Sequence, residues 1–481
     1  MGLLGILIGL AILMSLAFRG WTILLLAPFA ALVAAAFSGA PLLAHWTQTF
    51  MGAAAGFIAQ FFPLFLLGAL FGKLMEDSRS VDAIADVMTR TLGPKRAILA
   101  VVLAGALVTY GGVSLFVAFF VIAPMGQALF RAGAVPKRLL PAALALGTST
   151  FTMSALPGTP AIQNAIPMPF FGTTAFAAPG LGIIASAVML GFGLWWLNLR
   201  RRRAAAAGEG YGETAATALA DDLTVRELAT TAREFDPNEI GAGTRSLQRP
   251  SATLAILPLA VVVVVNLLMA QLILPSLDFG FLAEPGWSET SLGAVGGVWA
   301  VAVALLSGIL ALLATSFRRL PQLRASVDAG ANASVLPILS VASLVGFGAV
   351  VAALPAFEAV KEWVLGIEGG PLVSLAVATN ILAALTGSAS GGMTIALDAL
   401  GSTFMEIAAT TGLDPEVLHR VTVISSGTLD SLPHNGAVVT MLAVCGSSHK
   451  ESYFDVVMAA VVSALLALVA VILLASAFGS F

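Results

Sequence analysis

Charge is scarce in this chain. Asp, Glu, Lys and Arg together supply 10% of its 481 residues, where a soluble domain carries about 25%. That shortage excludes an ordinary soluble globular protein, and no nucleic-acid partner is expected. Cysteine is scarcer still: Cys445 stands alone, so neither a disulfide framework nor a cysteine-based metal site can form within the chain. The four histidines, at 45, 419, 434 and 449, show neither H-x-x-x-H nor H-E-x-x-H spacing, and no metal is expected. A basic segment ahead of the apolar start is also missing, so Met1 to Phe18 reads as a first span rather than a cleaved leader. The formal net charge of −3 decides little, because charges matter here by placement.

Apolar residues fill the gap. They make up 58% of the chain, and mean hydropathy is +0.97, the composition of an all-α polytopic membrane protein. Runs at 2–18, 21–37 and 51–76 approach the ~20 residues that a crossing needs. Residues 78–93 alternate apolar and charged positions as a short surface helix would. The stretch 94–131 is divided at Thr109-Tyr110-Gly111-Gly112-Val113-Ser114 into two arms too short to cross, with basic residues at both ends. A re-entrant hairpin is the expected result. A helix over 138–170 is broken at Leu156-Pro157, and a last span covers 175–199.

The same order then recurs. Spans are expected at 251–275, 288–315 and 331–357, a surface element at 358–368, and a hairpin at 370–408 with its tip at Thr386 to Gly392. A second broken helix covers 414–446 and a final span 453–478. The domain reading is an N-terminal repeat over 1–199, a cytoplasmic linker over 200–250 and a C-terminal repeat over 251–481. Within the linker, 204–248 is poor in large apolar residues, with a helical turn or two expected near 222–234. Each half has an odd number of crossings, so the repeats should be inverted. With the linker in the cytoplasm, all but Lys361 and Arg420 of the 23 Lys and Arg lie on that side. Both termini are then periplasmic, in a bacterial inner membrane.

The two breaks organise the chemistry. Leu156-Pro157 and Leu432-Pro433 occupy matching places in the halves, and matching interruptions point to the substrate site of a repeat-built transporter. Helix N-termini after Gly112, Pro157, Gly392 and Pro433 would aim N–H groups at an anion, with no Lys or Arg in any midplane element. Candidate substrate-binding residues in the first half are Tyr110, Gly111, Gly112, Ser114, Ser154, Thr159, Gln163 and Asn164. Those in the second are Ser388, Ser390, Gly391, Gly392, Ser431 and Asn435. The plainer alternative is that these Ser and Thr only cap helices and pack small interfaces. Asp430 and His434 flank Pro433 at i, i+4; an intramembrane acid suits proton coupling, with His434 as relay, or the pair simply holds the break open. Asp398 is a weaker candidate.

The run Gly427 to Gly446, with Asp430-Ser-Leu-Pro-His-Asn-Gly436 inside it, and the following His449-Lys-Glu-Ser-Tyr453, resembles the gluconate permease family. Its 3-hydroxybutyrate permease branch is the most similar. The resemblance implies an ion-transporter fold with paired hairpins, proton symport of a small organic monocarboxylate, a homodimer and an elevator movement. It implies no cofactor beyond the coupling proton. Sodium coupling on the same fold stays open, because hydroxyl-rich tips can coordinate Na⁺. An intramembrane enzyme is the remote alternative: no nucleophile–base pair or metal set is present.

Overall fold

The computed structural model describes residues 2–17, 19, 21–212, 245–433 and 435–481. The turns expected near 222–234, and His434, lie outside the described residues. All regular structure among them is helical.

The first half begins with α1 (Gly2–Ala17) and α2 (Ile23–Phe37), followed by the long α3 (Leu42–Asp77). A short α4 (Ser80–Leu92) ends at Gly93-Pro94, and the chain turns through 102° into α5 (Ala97–Tyr110). Proline cannot continue a helix that needs its N–H, so the corner is written in the sequence. α6 (Leu115–Ala132) returns beside α5 to complete a hairpin. The broken element follows as α7 (Leu140–Thr148), α8 (Phe151–Ser154), α9 (Ile162–Ala165) and α10 (Pro167–Phe171), and then comes α11 (Pro179–Ala206).

The second half repeats that order. α12 (Ala252–Ser276) and α13 (Leu292–Arg319) pack as a pair. α14 (Leu323–Ala333) steps at Ser334 into α15 (Val335–Ala353), and α16 (Phe357–Leu365) is short. The second hairpin is α17 (Pro371–Thr386) and α18 (Ala389–Thr411). The second broken element is α19 (Pro415–Ser426) and α20 (Gly436–Val444), and α21 (His449–Phe478) closes the chain. Seven helical segments among the described residues are long and apolar enough to cross a membrane.

Expected elements therefore occur in the expected order, with displaced ends. α3 starts at Leu42 rather than 51, through a π-helical turn at His45–Phe50. The stretch expected at 331–357 begins at Leu323, and α11 runs through Arg200–Arg203 into the linker region. That linker is not free at its ends. Glu209 bonds Arg138 at 2.8 and 3.0 Å, and the Lys137 N–H donates to the Tyr211 carbonyl at 3.1 Å. Past the undescribed segment, Arg245 pairs with buried Glu76, and the Ser246 N–H donates to the Asp77 carbonyl at 2.8 Å.

The helices sort into a frame and a body. In the frame, α2, α3 and α15 pack together, with α13 beside α3 and α12 on α13. In the body, each hairpin packs on its broken helix, and α11 lies against α21. Contacts between the two are apolar and close. A Cβ on Gly111 would fall 2.2 Å from Leu259, and one on Gly391 2.3 Å from Leu344. Among the described residues, a single hydrogen bond joins α12, α13 or α15 to the body: Asn266 Nδ2 donates to the Gly158 carbonyl at 3.0 Å.

Candidate substrate-binding site

Both breaks are built by residues that cannot continue a helix. Pro157 and Pro160 lack donors, and Gly158 between them takes φ +80°, which a side chain would resist. In the second half the chain leaves α19 after Ser426 and re-enters a helix at Gly436. Two adjoining cavities lie between the breaks and the hairpin tips. The first offers about 40 Å³ to water and is walled by Ser149, Ser154, Ser426, Asp430 and Ser431. The second offers about 150 Å³ and takes in Gly112, Ser114, Ser334 and Ser390. Leu115, Phe116, Met153 and Gln163 belong to both walls. One water needs only about 10–15 Å³ on this measure, so the pair together suits a small solute rather than a large one.

Three helix N-termini reach these cavities: α6 at Leu115, α18 at Ala389 and α20 at Ala437. Their amides are partly taken. Ser114 Oγ accepts from the Phe116 N–H at 3.3 Å, and Ser388 Oγ from Gly391 at 3.1 Å. Asn435 Oδ1 accepts from Ala437 at 2.7 Å and Val438 at 3.3 Å. The expectation that these N–H groups are free for an anion is corrected accordingly: short polar side chains cap the helix starts, as such residues do. The helix dipoles still favour negative charge there.

The structure brings Gly112, Ser114, Ser154, Gln163, Ser390, Asp430, Ser431 and Asn435 to the cavity walls. Gln163 is 7% exposed, and its Oε1 has no hydrogen-bond partner. A buried polar atom without a partner is costly, so a ligand donor would be gained there. Ser431 Oγ donates to Asp430 Oδ1 at 3.0 Å.

Other expected ligand residues lie elsewhere. Tyr110 spends its hydroxyl on the Pro157 carbonyl at 2.8 Å, fastening one hairpin tip to the first break. Gly111 packs on Leu259, and Gly391 and Gly392 pack on Leu344 and the Ala383 backbone. Ser388 acts as the cap of α18. Thr159 is fully buried away from both cavities, its Oγ1 accepting from the Ala161 N–H at 3.4 Å. Asn164 donates to the Thr159 and Ala175 carbonyls at 3.1 and 2.9 Å. Asp398 lines neither cavity.

The sequence assigns Arg420 to the periplasmic side and says nothing of its burial. The structure buries Arg420 completely in α19. Beside it His419 is equally buried, with Nδ1 2.6 Å from Thr173 Oγ1 and Nε2 3.3 Å from Asn164 Oδ1.

The first 188 residues match the family model described as GntP family permease. A curated relative, the uncharacterized transporter YxjC of Bacillus subtilis (strain 168), is 39% identical over 463 residues, covering 95% of each chain. The chain belongs to the GntP permease family. Among solved structures, MtrF of Neisseria gonorrhoeae, described with a class of antimetabolite efflux pumps, aligns with TM-score 0.54 at 16% identity. It covers 90% of this chain and 85% of its own. The YdaH transporter of Alcanivorax borkumensis aligns with TM-score 0.55 at 16% identity, over 91% of this chain and 89% of its own. At that identity the likeness is one of fold. This GntP-type chain is a multi-span membrane transporter, and its cavities lie where broken helices meet hairpin tips.

Proposed function

We propose that this permease imports a small organic monocarboxylate, a 3-hydroxybutyrate- or gluconate-like hydroxy acid, together with a proton. The observation that carries the reading is Asp430, the one acidic side chain on either cavity wall among the described residues, beside three helix N-termini. Those dipoles favour the carboxylate. Gln163 and the serine hydroxyls offer partners to a substrate hydroxyl. A proton on Asp430 removes the like charge that would oppose the incoming anion.

The two halves are read as inverted repeats, since each presents the same element order and the sequence predicts an odd number of crossings for each. Movement is an elevator step of the body against the frame, supported by the close apolar contacts at their boundary, Gly111 on Leu259 and Gly391 on Leu344. A homodimer in the bacterial inner membrane, with the linker cytoplasmic and both termini periplasmic, completes the proposal. Neither a metal nor an organic cofactor takes part.

Asp430→Asn in proteoliposomes tests it. Exchange of labelled 3-hydroxybutyrate should persist, while accumulation driven by an inward proton gradient should vanish. A mutant that still concentrates substrate removes Asp430 from the coupling step. Uptake that requires sodium at fixed pH would replace the proton by sodium.

A further inference from the structure

Arg420 is a buried cation whose hydrogen bonds all go to neutral groups. Its Nε and Nη2 donate to the Ala177 carbonyl at 3.1 and 2.7 Å, and Nη1 donates at 3.3 Å to both the Ser154 carbonyl and Asn164 Oδ1. Every acceptor is neutral. Glu416, one turn earlier on α19, is engaged elsewhere: its Oε2 accepts from the Ala178 N–H at 2.9 Å and from Ser480 Oγ at 3.4 Å. The other fully buried cation differs, since Lys73 has Glu76 at 3.4 Å and Asp77 at 3.1 Å. Glu416 acts on the Arg420 charge across the Ala177–Ala178 peptide, which both side chains bond, whereas towards the Ser154 carbonyl and Asn164 the guanidinium meets only neutral groups. In a medium of low dielectric constant that charge is felt over several ångströms.

It stands directly behind the first cavity. Ser154, whose carbonyl accepts from Arg420, is part of that cavity's wall, and so is Gln163, the neighbour of Asn164. We propose that Arg420 is the fixed counter-charge for the substrate carboxylate, a positioning residue that acts through the wall formed by Ser154 and Gln163-Asn164. This rests on the carboxylate reading of the site. A proton on Asp430 leaves the substrate carboxylate as the anion in the cavity, facing Arg420 through that wall.

The other titratable groups nearby are occupied. His419 has both ring nitrogens bonded, and because Asn164 donates twice through Nδ2, its Oδ1 must be the acceptor that faces Nε2–H. Tyr453 donates to the Ser431 carbonyl at 3.2 Å, and His449 Nε2 to the Pro433 carbonyl at 2.8 Å, both on the second break.

The test compares wild type, Arg420→Gln and Arg420→Lys in detergent, reading the 3-hydroxybutyrate concentration that half-saturates a thermal shift. Loss of the charge should weaken binding about ten-fold or more. Lysine keeps the charge while losing the fork, and should hold affinity within about three-fold. The inference falls if Arg420→Gln binds like wild type, or if folded Arg420→Lys is weakened as much as Arg420→Gln. Should Arg420→Gln not fold, Arg420→Lys decides alone: retained affinity supports the counter-charge, and a ten-fold loss overturns it. If wild type binds no short-chain acid in the same assay, the carboxylate reading itself is what fails.

Discussion

The two breaks hold matching places in their halves and do different work. The first is fastened on every side. Tyr110 holds the Pro157 carbonyl, Asn266 holds the Gly158 carbonyl, and the Gly158 N–H donates to Ala175 at 2.8 Å. The second exposes Asp430 and Ser431 to a cavity, while Asn435 Nδ2 reaches the Gly387 carbonyl at 2.8 Å. One break is a joint and the other is a working surface. Equivalent positions in a repeat share backbone geometry; their side chains answer to different neighbours. Thr159 and Asn435 show it, since only the second reaches a cavity wall.

The sharpest way to separate the breaks is to remove one side chain from each. Asn435→Ala takes away a helix cap and the tie to Gly387 together, each worth about 1 kcal/mol. Half-saturation in a counterflow assay should rise about ten-fold or more. Thr159→Val, buried behind the wall, should change it by less than about two-fold. Equal losses would erase the distinction.

Thiol labelling probes the same contrast from outside. Single cysteines replacing Ser154 and Ser431 should react with a small reagent and be protected by saturating substrate, whereas one replacing Thr159 should stay unreactive. Reaction at 159 with substrate protection would restore a site shared evenly by both breaks.

The joint can also be loosened. Asn266→Ala leaves the Gly158 carbonyl without its partner from the frame, a change of roughly 1–3 kcal/mol in one conformation. Maximal transport rate should shift several-fold with little change in half-saturation. A shift in half-saturation alone would place Asn266 in binding instead.

The smallest effect concerns the connection between halves. A Gly/Ser segment replacing 213–244 should leave uptake unchanged. Extending the replacement to Glu209 and Arg245 should lower the melting temperature, because buried Glu76 would lose one of its two cations and keep only Lys73. Arg138 holds the Glu209 carboxyl below its ordinary 4.5 through their hydrogen bonds, so that clasp contributes at neutral pH and is lost only as pH falls below that value. Unchanged stability in the longer replacement would make the docked ends incidental.

Much of this architecture could be read from apolar periodicity and from prolines. Gly93-Pro94, Leu156-Pro157 and Leu432-Pro433 mark real interruptions, because proline removes a donor whatever surrounds it. Cavity walls were less legible. Around 147–154, Ser149 and Met153 face the first cavity, while Thr148, Thr150 and Thr152 bond carbonyls of their own segment at 2.8, 2.7 and 3.2 Å. Adjacent hydroxyls look alike in a sequence, and only the register of the broken helix sorts them. The burial of Arg420 is illegible for a related reason. Charge counting assigns a cation to one side of the membrane and not to surface or interior, and a guanidinium met by four carbonyl and amide bonds can be buried.

One feature of the body has a mechanical meaning. At one end of α11, Asp455 of α21 accepts from Arg138, Arg200 and Trp196 at 3.0, 2.8 and 2.9 Å. At the other end, Ala177 and Ala178 are bonded to Arg420 and Glu416 of α19. Those clamps are roughly 33 Å apart along the helix at 1.5 Å per residue. A beam pinned at its two ends to two different neighbours, α21 and α19, ties both to one rigid rod. Torque applied at either rim reaches the other almost undiminished, so a push on one hairpin displaces the whole assembly instead of prising its halves apart.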